Sequence, residues 1–264
     1  MALETDAGTE HGDLGQANAK PIHGLTDETE QLARHVLELI LARQRQEPRS
    51  LGGSATLEEL TSRVGETVTP HGLGAAEALQ RWVNDLAPAN IASDNARYFA
   101  FIPQAPTEAA ICFDMLVGAS AIYGGSWMEA AGAVYAENAA LRWLADLAGF
   151  PAGAGGAFVP GGTMGNLSAL HAARQTALAR RGGERPPRWK IAASEEAHSS
   201  IAQAAQVLDV DIVAVPVDAR HRMTGETLRA ALDARDADDL CAVVASAGAT
   251  NLGAIDDLTG IAAV

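Results

Sequence analysis

Along this chain the period of apolar positions changes from helical spacing to an alternation of short strands and helices. Residues 1 to 24 mix Gly, Asp, Glu and Asn without any period and predict a mobile tail. A helix is expected from Thr26-Asp27, with Asp27 and Glu30 spaced as a capping box. Its stripe of Leu32, Val36, Leu39 and Ile40 needs a partner surface, and another subunit is one candidate for it. Further helices are predicted over Leu57–Val64 and over Ala75–Leu86, before Pro88. The aromatic, proline-ended Tyr98–Pro103 reads as an extended piece lining something. Thr107–Ala121 reads as helix, Tyr123–Trp127 as loop, and Gly132–Leu147 as a long helix ended by Gly149 and Pro151.

From Phe158 onward the text is FVPGGTMGNLSALHAAR: an apolar start, a turn through Pro160–Thr163, then helical spacing at Asn166, Leu167, Leu170 and Ala173. Short strands follow at Trp189–Ala192, Asp211–Val217 and Leu240–Ala245, separated by helices at Ile201–Leu208 and Gly225–Ala234. Strands joined by helices of this length require parallel crossovers, so the expected class is α/β: a mostly parallel sheet with helices on both faces, preceded by a helical segment. The division this implies is a tail over 1–24, a helical segment over 25–97, and the first part of a larger sheet domain over 98–264. The last residues, Ile261–Val264, read as the inside of a helix.

Composition narrows the partners. At 48% hydrophobic residues the chain can bury a core, and a formal charge of −14 without a basic patch argues against nucleic acid. Lys20 and Lys190 are the only lysines. Cys112 and Cys241 lie far apart in apolar segments and read as buried free thiols, with neither a disulfide framework nor zinc spacing. No apolar run is long enough to span a membrane, because Asp114 interrupts the best candidate, and the first residues lack the pattern of a signal peptide. The expected location is the cytoplasm.

The candidate chemistry sits at Gly161-Gly162-Thr163. Two glycines ahead of a helix let a ligand approach the backbone, and the helix start offers free N–H groups, a positive dipole end and the Thr163 hydroxyl. That combination suits a phosphate. Taken alone, the same residues are better described as an ordinary turn with a helix cap. The stretch is neither a Walker loop nor a dinucleotide fingerprint. Phe101 and Trp127 stand in turn-like contexts that fit a pocket or core packing, whereas Trp82 and Trp143 lie on helical stripes and read as core.

Three stretches in order, FVPGGTMGNLSALHAAR, SEEAHSSIAQAAQVLDV and VVASAGATNLGAIDDL, resemble the pyridoxal-phosphate-dependent amino-acid decarboxylases of the glutamate/aromatic group (group II, fold type I). RYFAFIPQAPTEAA with GGSWMEAAGAVYAENAALRWLADLAGFP, and then VPVDARHRMTGETL, extend the likeness from about Leu25 to the last residue. The resemblance implies a lyase that converts an amino acid to an amine and CO2. It assigns Gly162 and Thr163 to the cofactor phosphate, His198 to the face of the pyridine ring as the catalytic histidine, and Thr250 to a hydroxyl near that ring. Ala249 stands where the family usually has Thr. Phe101, Pro103, Gln104 and Trp127 are the substrate-pocket candidates. Asp256 matches a recurrent aspartate that either supports its loop or caps the following helix.

The resemblance also requires a lysine for the Schiff base and a carboxylate at the pyridine nitrogen, both expected beyond the third motif. Neither Lys20 nor Lys190 matches. The expectation is therefore the N-terminal portion of a decarboxylase, inactive alone, whose lysine comes from a further polypeptide, with a homodimer formed by the complete unit. Another fold type I reaction (carbon–carbon lysis or oxidative deamination) and a non-catalytic partner subunit are the alternatives.

Overall fold

The computed structural model describes residues 24–46, 50–235 and 237–264. The expected tail, apart from Gly24, lies outside these residues, as does Lys20. The chain divides into two compact units, Met1–Ala119 and Ser120–Val264. Residues 98–119, grouped with the sheet on sequence grounds, cluster with the N-terminal unit.

In the N-terminal unit, α1 spans Asp27–Arg45, α2 Leu57–Val64, α3 Ala75–Arg81 and α4 Glu108–Ala119. The capping box of α1 is formed by Thr26 and Thr29, not by Asp27 and Glu30: each threonine hydroxyl receives the other's backbone N–H. Thr26 adopts extended dihedrals and so occupies the cap position, which places Asp27 inside the first turn. Thr56 and Glu59 cap α2 in the same reciprocal way. The helix expected to run to Leu86 changes pitch after Arg81, passing through a π turn at Trp82–Leu86 and a 3-10 turn at Ala87–Ala89. Pro88 lacks an N–H and cannot continue an α-helical ladder. Arg81 ties this segment back to α2 by donating to the carbonyls of Val64 and Glu66. Val36, Leu39 and Ile40 of α1 face Leu79, Trp82 and Val83 across an apolar cavity of about 860 Å³. Tyr98–Pro103 forms no strand; Phe99, Phe101 and Ile102 are exposed, and Phe101 has a positive φ of 60°. Cys112 is exposed, contrary to expectation, because no residue of α4 is buried.

In the second unit α5 (Trp127–Leu147) carries a break at Ala130, whose dihedrals are non-helical, so its regular part begins close to the expected Gly132. Then come α6 (Gly162–Arg180), β1 (Lys190–Ser194), α7 (Ser200–Leu208), β2 (Asp211–Val215), α8 (Gly225–Asp233), β3 (Leu240–Val244) and α9 (Leu258–Ala262). The strands form one parallel sheet in the order β2-β1-β3. The connection from β1 to β2 steps one way along the sheet and that from β2 to β3 steps back, so right-handed crossovers put α7 and α8 on opposite faces. The core follows this rule. Ile191 and Ala193 of β1 pack with Leu170, Ile201, Ala204, Ala205 and Leu208 of α6 and α7. Ala192, Val213 and Val215 pack with Met223 and Leu228 on the α8 side. Cys241 is half-buried where the register of β1 and β3 slips, and burial pushes its thiol pKa up. Among the described residues no helix is long and apolar enough to cross a membrane, and no cluster of three or more His, Cys, Asp or Glu side chains is placed to hold a metal.

Candidate functional site

The start of α6 is built to leave its amides open. Gly161 occupies the cap position with φ of 88°, a conformation that side chains rarely adopt, and no side chain caps the helix. The N–H groups of Gly162, Thr163 and Met164 come before the first intrahelical bond, Gly165 N–H to Gly161 C=O, and have no helical acceptor. The first turn carries no acidic residue, and the helix is 19 residues long, so its positive end is uncompensated. A Cβ at Gly162 would meet nothing within 4 Å, so open space lies over the amides. Thr163 is exposed beside them.

One turn into α6, Asn166 Nδ2 donates to Ser200 Oγ at 2.8 Å. Ser200 is fully buried and begins α7, and its hydroxyl and backbone N–H stand 2.9 and 3.1 Å from His198 Nδ1. This bridge fixes the loop after β1 against the start of α6 and brings Gly162, Thr163 and His198 to one end of the sheet. Leu170 and Ile201 pack beneath it in a shared core cluster. Four residues before His198, at the C-terminal end of β1, Ser194 Oγ is buried without a hydrogen-bond partner. Loops after β1 and β2 meet nearby through Glu196 and His221, 3.1 Å apart.

Thr250 is exposed in the loop after β3, which is closed by Ala249 N–H to Ala254 C=O and Gly253 N–H to Ala249 C=O. No described hydrogen bond joins its hydroxyl to His198 or Thr163. Asp256 is buried and accepts two N–H groups, from Met223 and from Ser246, each at 2.7 Å. It therefore locks the approach to α8 onto the end of β3, while the cap of α9 is Asp257, which accepts from Gly260 N–H. Of the pocket candidates, Trp127 is exposed at the start of α5. Phe101, Pro103 and Gln104 belong to the other compact unit, where all three are exposed. Lys190 opens β1 at the end opposite His198, roughly 13 Å away along the strand at ~3.3 Å per residue.

The sequence carries no sign of the positioning contact of Ser200 with Asn166, nor of the buried Ser194. A histidine two positions ahead of a helix start is a usable sign only for the contact of Ser200 with His198, since its ring nitrogen can reach back to a free amide there.

Residues 77–264 match the pyridoxal-dependent decarboxylase conserved domain. Over 174 residues the chain is 30% identical to an aromatic-L-amino-acid decarboxylase of Bacillus atrophaeus, covering 64% of this chain and 35% of that protein. It is 35% identical over 158 residues to an L-2,4-diaminobutyrate decarboxylase of Rhizobium meliloti, covering 58% and 31% respectively. The chain thus spans about a third of the length of these two relatives. The fold is that of the solved Oryza sativa TDC with PLP and tryptamine, with a TM-score of 0.78 at 22% identity over 93% of this chain and 53% of that one. The open amides of α6 and the Thr163 hydroxyl form a donor set that fits a phosphate dianion, so the observed site agrees with a pyridoxal phosphate cofactor. With more than half its length matched and a parallel sheet of the fold type I kind, the chain belongs to the pyridoxal-dependent decarboxylase family.

Proposed function

We propose that this chain supplies the phosphate seat and the ring-facing histidine of an enzyme converting an L-amino acid to its amine and CO2. The observation that carries the reading is the Asn166–Ser200–His198 bridge, which holds the histidine loop beside the open amides of α6. Bound pyridoxal phosphate supplies the electron sink for loss of CO2. The amides of Gly162, Thr163 and Met164 and the Thr163 hydroxyl hold the phosphate group. His198 covers the ring and presents its outer nitrogen toward the substrate carboxylate, and Thr250 adds a hydroxyl from the loop after β3. Trp127, in the same compact unit, is a candidate for lining an apolar substrate pocket.

The Schiff-base lysine and the carboxylate at the pyridine nitrogen come, in this proposal, from a further polypeptide. Lys190 lies at the wrong end of β1 to serve. The 264-residue chain is then inactive alone, and the complete unit is a cytoplasmic homodimer. The exposed apolar side chains of α4, among them Phe113, Leu116 and Val117, support a further covering surface. The division into a helical segment over 25–97 and a cofactor-binding part from 98 belongs to the same proposal. The test is intact mass and visible absorption of the purified protein, followed by borohydride reduction and peptide mapping. Cofactor label on a lysine outside residues 1–264 is the expected result. Decarboxylation by this chain alone with label on Lys190 would overturn the proposal.

A further inference from the structure

Three hydrogen bonds run from α6 to His198, and chemistry sets the direction of each. The Ser200 backbone N–H can only donate, and it stands 3.1 Å from His198 Nδ1, so that nitrogen must offer a lone pair. Asn166 Nδ2 can only donate, and at 2.8 Å it occupies a lone pair of Ser200 Oγ. The Ser200 hydroxyl proton is left to point at Nδ1, 2.9 Å away. One proton arrangement satisfies all three bonds: Nδ1 bare and Nε2 protonated. Ser200 has no exposed surface, so solvent does not compete for its hydroxyl.

We infer that Asn166 and Ser200 are positioning residues that lock His198 in the Nε2–H tautomer, so that the neutral ring offers a donor, never a base, at its outer nitrogen. The inference rests on reading His198 as the cofactor-facing residue and refines it. A ring held this way is matched to an anionic group such as a substrate carboxylate, and it cannot abstract a proton at Nε2. Without the Ser200 hydroxyl only the backbone N–H of residue 200 is left to hold Nδ1, and the imidazole can turn over and exchange its two nitrogens. The lock thus joins the helix that holds the phosphate to the proton state of the residue beside it.

Long-range proton–nitrogen correlation on protein labelled with 15N-histidine tests this, without cofactor and at a pH where the imidazole is neutral. The His198 signals are assigned by their loss in His198→Phe. Expected is a bare Nδ1 and a protonated Nε2, with a much smaller Nδ1–H fraction than free histidine measured alongside. Ser200→Ala should raise that fraction several-fold, Asn166→Ala should raise it less, and Ser200→Thr should restore the native pattern. An Nδ1–H ring in the unaltered protein, or a fraction unchanged in both alanine variants, would overturn the inference. The readout uses neither pyridoxal phosphate nor turnover, so failure of the decarboxylase reading would show separately, as loss of cofactor binding with the tautomer intact.

Discussion

His198 has two jobs that substitution can separate. Its Nδ1 accepts the Ser200 N–H, one of the amides in the first turn of α7 that lack a helical acceptor, and its imidazole is a candidate ring-facing group. Losing an acceptor for a first-turn amide costs about 1 kcal/mol. His198→Ala should therefore lower apo stability by ~1 kcal/mol and cut turnover of the complete enzyme roughly 100-fold or more. His198→Asn keeps an acceptor for the amide, so it should recover the stability and leave turnover low. Denaturant titration of the apo forms beside steady-state assays checks this; normal turnover with a larger stability loss would make the residue purely structural. At this scale the Gly-Gly-Thr turn ahead of α6 was legible from residue types alone, whereas His198 stood out as a candidate only through the family resemblance. The Asn166–Ser200 bond was not legible: its partners are 34 positions apart and meet only after α6 and α7 pack on the same face of β1. Asp256 shows the same limit. Two adjacent aspartates look alike in sequence, yet one caps α9 and the other is buried against two amides from distant loops.

Elements that the apolar period predicted, α2, α7, α8 and the three strands, formed within two residues of expectation, since each buries its own repeat against the sheet or a neighbouring segment. The period failed where backbone chemistry overrides it, at the pitch change before Pro88; the break at Ala130, by contrast, leaves the regular part of α5 starting close to the expected Gly132. The turn between β2 and α8 is held by charge rather than by apolar contact. Asp218 accepts Arg222 through Nε and Nη2 and also receives the backbone N–H groups of Arg220 and Arg222. The Arg222 guanidinium first, and then these amides, hold the Asp218 carboxyl below the usual aspartate range. A carboxylate whose folded pKa is depressed stabilises the turn fully above its unfolded value near 4 and loses that contribution as pH falls through the lower folded value. Amide exchange at Arg220 and Arg222 should therefore show protection that persists to about pH 4 and declines below it. Asp218→Asn should remove this acid step, and an unaltered step in that variant would assign it to another group.

Over the whole molecule, the second unit is a parallel three-stranded sheet with a packed layer on each face, and the loops after β1 and β3 carry His198 and Thr250. Large apolar side chains stand exposed in both units, including Phe99 and Phe113 in one and Trp127, Tyr135, Trp143 and Phe158 in the other. Local sequence could not foresee this. Trp143 lies on a helical stripe of the kind that predicts a core, yet among the described residues neither core cluster includes it. The central claim is that the open start of α6 holds the phosphate of pyridoxal phosphate. A side chain at Gly162 would enter empty space, so Gly162→Val should block the ligand without disturbing the fold. The direct measurement is calorimetric titration of the unaltered protein and of Gly162→Val with pyridoxal phosphate and with phosphate-free pyridoxal. Pyridoxal phosphate should bind at least ~10-fold tighter than pyridoxal, about 1.4 kcal/mol, and Gly162→Val should lose that preference with an unchanged melting temperature. Equal affinity for both ligands, or an undiminished preference in the variant, would contradict the claim.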